Sequence, residues 1–285
     1  WRAARGRNVP RFIRETLKFK PHAVFNLCED VGGDTTKEKA VAALFELLNL
    51  RFTGNSMLPL TVCQNKGFAK RILKTGSVPT PPFAVISDEE SIELPFPLPA
   101  MVKPLHEGGS VGITARSFVT THKRLTDRVR YIRTRFHQPA LVEKYVSGRE
   151  FQVSLLGNRQ PTILAIAELS YKGLPRSLPR ICTYSAKWKT SSRYYKFTTP
   201  QIPARINEKL EKRISEIARK IFDIFHLRGY ARVDFRVYRN QPFVIDINPN
   251  PDISPDAGFA RAAQWAGLPY PDLVKRLVEL ALEPQ

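Results

Sequence analysis

The sequence predicts a mixed fold, α/β in its first third and α+β after it. Strand-like and helix-like segments alternate up to about residue 78, and many short strands follow from Ala100. A long amphipathic helix at 204–225 then precedes a final strand pair at 230–248. Strand–helix alternation is typical of a parallel layer, whereas closely spaced short strands favour other sheet architectures. We therefore expect an N-terminal parallel α/β layer, incomplete because the chain starts at Trp1, and an α+β region of short strands after it.

The first third carries three elements. "HAVFNL" (22–27) is typical of a short buried strand and is followed by a Gly-Gly turn. Residues 35–50 place apolar side chains at helical spacing, which predicts an amphipathic helix. A second helix is predicted at 66–75, because Gly76 is a common residue just after a helix and prolines follow it.

The middle of the chain is dominated by short strands. A Pro-rich linker at 79–99 contains one of them, "FAVI", and a helix is predicted at 121–136. The other predicted strands are "AMVKP", "ITARSFV", "ALVEKYV", "EFQVSLLG" and "PTILAIAEL". Residues 171–200 show no periodicity, so we predict a long loop, and loops of that length in compact domains are often functional lids.

Composition narrows the class of protein. Apolar residues make up 42% of the 285 residues, which indicates a folded chain. No apolar run is long enough to span a bilayer, and no secretory signal is recognisable. Cys28, Cys63 and Cys182 are far apart, which argues against a disulfide framework or a structural zinc site. We expect a cytoplasmic protein with reduced thiols and no membrane partner.

The net charge of +19 favours anionic partners such as nucleotides, acidic peptides or nucleic acid. Basic residues cluster at 1–20, at 116–136 and at 171–200, the last with seven Lys or Arg and no acidic residue. Charge alone is equally compatible with an ordinary solvated basic surface.

The final strand pair carries the most unusual polar pattern. In "FVIDINPNP" the alternation puts Asp246 and Asn248 on one face of a strand, and in "YARVDFRVY" Arg232 and Asp234 share a face in the same way. A structural role at a strand end requires only one polar residue. The pattern therefore predicts a hairpin that holds a charged site.

Two further motifs could contact a nucleotide. "MVKPLHEGGSVGI" joins Lys103 to a Gly-Gly-Ser turn, whose backbone N–H groups could surround phosphate oxygens. It is not a P-loop, because the lysine precedes the glycines, and by itself it could be a simple tight turn. In "LVEKYVSGREFQV", Glu143, Lys144 and Glu150 surround a turn, where carboxylates could accept from an adenine amino group or ribose hydroxyls. An ordinary charged hairpin is the alternative.

These motifs occur in a specific order: Lys66, KPxxEGGSVG, VEKxVxGxEF, ARVDF and DINPNP. In this order they resemble the ATP-grasp superfamily, and within it the D-alanine–D-alanine ligase family. The resemblance extends from about Ala23 to Leu282 and includes "RFTG" near the start. It implies an N-terminal segment at 1–78, a central ATP-grasp subdomain at 79–147 and a C-terminal one at 148–285 with a lid at 171–200.

The resemblance also implies a role for each site residue. Those expected at the ATP phosphates are Lys66, Lys103 and the loop with Glu107, Gly109 and Ser110. Glu143, Lys144 and Val146 are expected at the adenine and Glu150 at the ribose. Asp234, Asp246 and Asn248 are expected to hold two Mg²⁺ ions, which Mn²⁺ could replace. Arg232 would stabilise an oxyanion, and Lys187 would belong to the lid that closes over the intermediate.

The implied activity is ATP-dependent joining of a carboxylate to an amine through an acyl phosphate. The expected partners are small amino acids or peptides; a homodimer is compatible with the resemblance, and nucleic acid is not expected. Two alternatives stay open. One is a ligase of this fold for another amino acid or peptide, and the other is a non-catalytic, nucleic-acid-associated basic protein.

This chain departs from the family pattern at several positions. Asp246 stands where the family usually has Glu, and Cys28 and Glu29 stand where "LHG" continues with His and Gly. Asp252 and Ala257 occupy the positions of a Gly and a Ser that help bind the second D-alanine. An acidic residue there would repel the carboxylate of a free amino acid, so the substrate is expected to differ more than the nucleotide site.

Overall fold

The computed structural model describes residues 9–90 and 92–284. The basic stretch at 1–20 therefore lies partly outside the described residues. The α-helices are α1 (Val9–Phe19), α2 (Glu38–Leu47), α3 (Met57–Gln64), α4 (Lys66–Thr75), α5 (His122–Phe136), α6 (Tyr184–Trp188), α7 (Arg193–Phe197), α8 (Glu208–Ile224), α9 (Gly258–Trp265) and α10 (Tyr270–Leu282). The strands are β1 (Phe83–Ile86), β2 (Ala100–Pro104), β3 (Phe118–Val119), β4 (Ala140–Lys144), β5 (Arg149–Leu156), β6 (Thr162–Ser170), β7 (Thr199–Gln201), β8 (Tyr230–Tyr238) and β9 (Gln241–Asn248).

The strands form two antiparallel sheets. The first has four strands in the order β1-β4-β2-β3, and the second has five in the order β7-β6-β5-β8-β9. The predicted strand at 113–119 shortens to β3, because a 3₁₀ turn capped by Thr114 takes up its first half. This α+β arrangement confirms the predicted fold for the larger part of the chain.

Helix α8 shows how the second sheet obtains its core. The Asn207 side chain accepts from the backbone N–H of Leu210 and begins the helix. The buried residues of α8 recur at helical spacing, and its buried stripe packs on one face of the five-stranded sheet. Phe151 of β5 and Phe235 of β8 are fully buried in this core. Helices α9 and α10 contribute to a second apolar cluster with residues of β5 and β6.

The N-terminal layer is smaller than the sequence predicts. The predicted strand at 22–27 pairs only at Val24, which forms one parallel bridge with Phe52. Within the described residues no further strand lies beside it, and a single extended segment cannot pair its backbone groups as a sheet does. The segment instead packs through apolar side chains, with the Phe45 ring between those of Phe12 and Phe52.

The predicted structureless loop at 171–200 is also wrong in part, because it contains α6, α7 and β7. The side chains of Thr183 and Ser192 cap the two short helices. Tyr171 and Tyr194 are buried in an apolar cluster of their own. These aromatic contacts give the segment a packed structure despite its lack of periodicity.

No helix of the described part of the chain combines the length and the apolar character that a membrane crossing requires.

Candidate active site

The β8–β9 hairpin brings four polar side chains together. Its register puts Asp234 opposite Asp246 and Arg232 opposite Asn248, and a bulge follows Asp234. Because side chains alternate along each strand, all four project from the same face of the sheet. The charged site that the alternation predicts is therefore built by direct cross-strand pairing.

Two carboxylates and an amide of this hairpin make a donor set for a hard divalent cation. Arg232 donates to both oxygens of Asp234, from Nε to Oδ1 at 2.7 Å and from Nη2 to Oδ2 at 3.1 Å. The side-chain nitrogen of Asn248 is buried without a hydrogen-bond partner among the described residues. Within those residues no cluster of three His, Cys, Asp or Glu side chains has metal-binding geometry. The third oxygen donor here is an amide, and Mg²⁺ accepts such a ligand beside carboxylates and water.

Asp246 lies among several cations. Lys66 Nζ, at the start of α4, is 3.4 Å from Asp246 Oδ1. Burial would raise the pKa of the Asp246 carboxyl, but the positive charges of Lys66, Lys103, Arg232 and Lys187 lower it below its ordinary value. This site therefore keeps Asp246 ionised, as a metal ligand has to be.

A buried ion triad lies behind this hairpin. Glu143 of β4 pairs with Lys103 of β2 through Oε1 and with Lys70 of α4 through Oε2, the latter at 2.8 Å. Burial would raise the pKa of Glu143, but the charges of Lys103 and Lys70 lower it to about 2. The amine of Lys70 also donates to Thr80 Oγ1 at 2.7 Å.

The sequence reasoning missed Lys70. Its signal was available, because Lys70 follows Lys66 by four residues and so lies on the same face of α4. Its almost complete burial, at 3% exposure, distinguishes it from an ordinary surface lysine.

The Gly-rich turn connects β2 to the centre of the site. Gly109 and Ser110 have φ angles of +58° and +63°, which turn consecutive backbone groups in a way that favours glycine. Gly112 is crowded as well, since a Cβ there would lie 2.5 Å from Pro104. The buried guanidinium of Arg128, which the sequence reasoning also missed, donates to the Gly112 carbonyl and fixes the end of the turn.

The connection between β4 and β5 runs along one side of the site. The Lys144 N–H donates to Pro82 at 2.8 Å and its side chain is exposed, whereas Val146 is half-buried. Glu150, at the start of β5, is buried and forms an ion pair with Arg236 of β8 at 2.6 Å. Arg236 is a third residue that the sequence reasoning did not assign.

Segment 171–200, which is predicted to be a lid and is called the lid segment below, contacts the Gly-rich turn directly. The indole N–H of Trp188 donates to the Gly109 carbonyl at 3.1 Å. The Tyr184 N–H donates to the Ile113 carbonyl at 3.0 Å. Lys187, in the short helix between these two contacts, reaches the cleft.

These groups surround one cleft between the two sheets. The residues predicted from sequence that line it are Lys66, Lys103, Glu107, Gly109, Ser110, Glu143, Lys144, Val146, Glu150, Lys187, Asp234, Asp246 and Asn248. Arg232 is not among the lining residues but contacts Asp234, which is. The structure thus collects side chains from α4, both sheets and the lid segment around a single cavity.

Comparison with known proteins places the chain among enzymes. Residues 72–279 match the family model described as D-ala D-ala ligase C-terminus. The D-alanine–D-alanine ligase of Desulforudis audaxviator is 31% identical over 287 residues, which cover 97% of this chain and 86% of that protein. The chain belongs to the D-alanine–D-alanine ligase family.

Two further proteins are similar to this chain, one in sequence and one in fold. An uncharacterized protein of Sinorhizobium fredii, y4sG, is 33% identical over 261 residues, which cover 90% of this chain and 74% of that one. The crystal structure of the Bacillus anthracis D-alanine–D-alanine ligase complexed with ATP superposes with a TM-score of 0.71 at 20% identity. It covers 88% of this chain and 77% of that chain, and it supports the fold.

Family membership confirms the predicted class of activity. The protein is an ATP-grasp ligase that uses ATP to form a peptide bond. Members of this family generally use ATP together with a divalent metal. The alternative of a non-catalytic basic protein is not needed to explain the charge, because a nucleotide polyphosphate is itself an anionic partner.

Proposed function

We propose that the protein activates a carboxylate with ATP as an acyl phosphate and then transfers the acyl group to an amine. The observation that best supports this proposal is that the assigned residues all meet in one place. The residues that the family resemblance assigns to phosphates, base, ribose and metal lie around one cleft that the basic segment 171–200 borders.

Each group has a role that its surroundings support. Lys66 and Lys103 would bind the phosphates as fixed cations, and the N–H groups of the turn at 107–112 would add hydrogen bonds. Asp234 and Asp246, with Asn248, would hold two Mg²⁺ ions. Such ions supply charge neutralisation for phosphoryl transfer.

Bond formation needs a cation at the reacting carbonyl. The amine nitrogen attacks the acyl carbon, an oxyanion forms, and phosphate leaves as the amine loses its proton. Arg232 would stabilise that oxyanion, since its guanidinium lies beside Asp234 at the edge of the cleft. Lys187 and the rest of the lid would exclude water from the acyl phosphate.

We further propose that the acceptor carries no free carboxylate near Asp252. Asp252 follows Asn248 by four residues, and its Oδ1 accepts from the N–H and the hydroxyl of Ser254. The pKa of the Glu29 carboxyl is raised, mainly by burial and next by the negative charge of nearby Asp252. Because Asp252 is exposed, solvent screens its repulsion, and we expect a cost of ~1 kcal/mol or less.

Two measurements test the proposal. Hydroxylamine should trap an acyl hydroxamate in the presence of ATP, Mg²⁺ and a donor amino acid, and failure to form one would contradict the acyl phosphate step. Phosphate release with D-alanine amide as acceptor should exceed that with D-alanine by up to about fivefold in kcat/KM.

The variant Asp252→Asn provides a matched control for the acceptor. It removes the charge and keeps an oxygen that can accept from Ser254. We expect it to reduce the preference for the amide. A wild-type enzyme that clearly prefers free D-alanine would show that Asp252 does not exclude a carboxylate, while leaving the ligase chemistry intact.

The division into segments 1–78, 79–147 and 148–285 stays a prediction, as do the homodimer and the cytoplasmic location. Separate expression of 79–285, followed by its thermal unfolding, would test the first boundary.

A further inference from the structure

A buried arginine at one end of the cleft has no role in the reaction proposed above. Arg236 Nη2 is 2.6 Å from Glu150 Oε2, and the two side chains are 5% and 6% exposed. Its Nη1 donates to the Gly148 carbonyl at 3.2 Å and to the Tyr145 hydroxyl at 3.4 Å. Its Nη2 also donates to the carbonyl of Arg180 in the lid segment. The guanidinium therefore joins β8, the turn before β5 and the lid.

The register of β5 and β8 places Glu150 and Arg236 next to each other. Glu150 of β5 lies opposite Arg236 of β8, and both residues line the cleft. Tyr171, at the beginning of the lid segment, donates from its hydroxyl to the same Glu150 oxygen, Oε2, at 2.8 Å. The centre of its ring is 5.9 Å from the guanidinium carbon. Two groups on different segments thus hold one oxygen of Glu150.

The other oxygen is free to bind a ligand. Within residues 9–90 and 92–284, Glu150 Oε1 makes no hydrogen bond or ion pair, while Oε2 makes both. A carboxylate fixed through one oxygen presents the second as an acceptor in a defined direction. A sugar hydroxyl is a suitable donor for such an acceptor, whereas a phosphate would be repelled.

The pairing of Glu150 with an arginine also needs an explanation. Buried ion pairs can often be replaced by apolar residues without loss of stability, so stability alone does not account for Arg236. The planar guanidinium instead provides several donors in a fixed geometry, which orients the groups it contacts.

We propose that Arg236 is a positioning residue for sugar recognition: it holds Glu150 through Oε2 so that Oε1 receives a ribose hydroxyl of the nucleotide. The inference rests on the proposed function, because it assumes a nucleotide in this cleft. It adds that discrimination between ribose and deoxyribose depends on a residue that does not itself touch the sugar.

The test compares dissociation constants for ATP, 2′-deoxy-ATP and 3′-deoxy-ATP by calorimetry. A hydrogen bond to a buried carboxylate predicts that the wild type binds ATP about ten- to a hundredfold more tightly than one of the deoxy analogues. In Arg236→Met this ratio should fall to about threefold or less. Glu150→Gln should reduce the ratio similarly, and the double variant should lose no further discrimination.

Arg149→Met is the matched control. Arg149 is the neighbouring residue on β5 and makes a two-pronged pair with Glu168 at 2.8 and 2.6 Å, but it does not line the cleft. Its variant should keep the wild-type ratio.

Tyr171→Phe provides a second test that retains the ring. It removes one of the two donors to Oε2, so the ratio should fall part of the way, and it can be used even if Arg236→Met does not fold. A wild-type ratio in a folded Arg236→Met variant, or in Tyr171→Phe if the former does not fold, would overturn the inference. A wild type that binds ATP without discrimination would also overturn it and leave the proposed function standing. A wild type that binds no ATP would refute the proposed function itself.

Discussion

The buried Lys70–Glu143–Lys103 triad makes a quantitative prediction about stability. Lys70→Met removes an amine that lies 2.8 Å from Glu143 and 2.7 Å from Thr80, with only 3% of Lys70 exposed. Hydrogen bonds to charged groups contribute ~1.5–3 kcal/mol. Lys103 still neutralises Glu143 in this variant, so the loss should stay below the 3–5 kcal/mol typical of a buried charge without a partner. We therefore expect the free energy of unfolding to fall by ~2 kcal/mol.

Glu143→Gln is the informative comparison. It leaves the amines of Lys70 and Lys103 buried together without the carboxylate that separates their charges, and we expect a loss of ~3–5 kcal/mol. Lys74→Met is the control, because Lys74 lies one turn further along α4 and is exposed. Its effect should be within ~0.5 kcal/mol.

Urea unfolding at pH 7.5, followed by circular dichroism, gives the free energy of unfolding of all three variants, and thermal unfolding gives their Tm. At ~2–4 °C per kcal/mol for a chain of this size, Lys70→Met should lower Tm by about 4–8 °C. The reasoning would be refuted if Lys70→Met unfolded like Lys74→Met, or if it were less stable than Glu143→Gln.

Four further outcomes follow from the site. The pKa of Glu143 is lowered to about 2, so its contribution to stability is complete above about pH 4.5 and is lost as the pH falls towards 2. When unfolding is measured as a function of pH, Glu143→Gln should lack this loss of stability in acid. Burial raises the pKa of Glu38 to about 7, so this group favours the folded state at low pH, and this stabilisation is lost as the pH rises from about 4.5 through 7. In Glu38→Gln the free energy of unfolding should change less with pH over that range. Asp246→Asn should abolish phosphate release while changing Tm little, and near-normal turnover would rule out its role as a metal ligand. Trp188→Phe removes the donor to the Gly109 carbonyl, so it should raise the KM for ATP more than it lowers kcat, and an unchanged KM would argue against a role for this contact in lid closure.

Local patterns account for the parts of the fold that the sequence predicts well. Helix α4 ends at Thr75, as Gly76 and the following prolines predict, although the left-handed conformation falls on Ser77, with a φ of +53°, and not on Gly76. The polar positions of the β8–β9 hairpin follow from the alternation at 246–248 and 232–234, and in the structure Asp234 and Asp246 lie opposite each other, next to a bulge. These features depend on residues near one another in the chain.

The missed features depend on distant partners. Lys70 and Arg236 sit in segments whose periodicity is compatible with exposed basic residues. The spacing from Lys66 places Lys70 on the same helix face, but only the packing of Glu143 and Glu150 reveals that both basic residues form buried ion pairs. The strand predicted at 22–27 failed for a related reason, since pairing depends on which segments lie beside it. Order in the lid arises from aromatic burial rather than from periodicity.

The two asparagines of "NPNP" show how one short motif serves both chemistry and assembly. Asn248 faces the cleft, whereas Asn250 accepts from the Asn55 N–H at 2.9 Å and donates to Glu38 at 2.9 Å. The φ of Gly54 is +85°, which favours glycine, and a Cβ there would lie 2.7 Å from Asn250 Oδ1. The N-terminal segment therefore holds the end of the hairpin two residues beyond the candidate metal ligand. The backbone of Asn248 is therefore fixed from both sides, by β8 and by this anchor, while its buried side-chain nitrogen has no hydrogen-bond partner among residues 9–90 and 92–284.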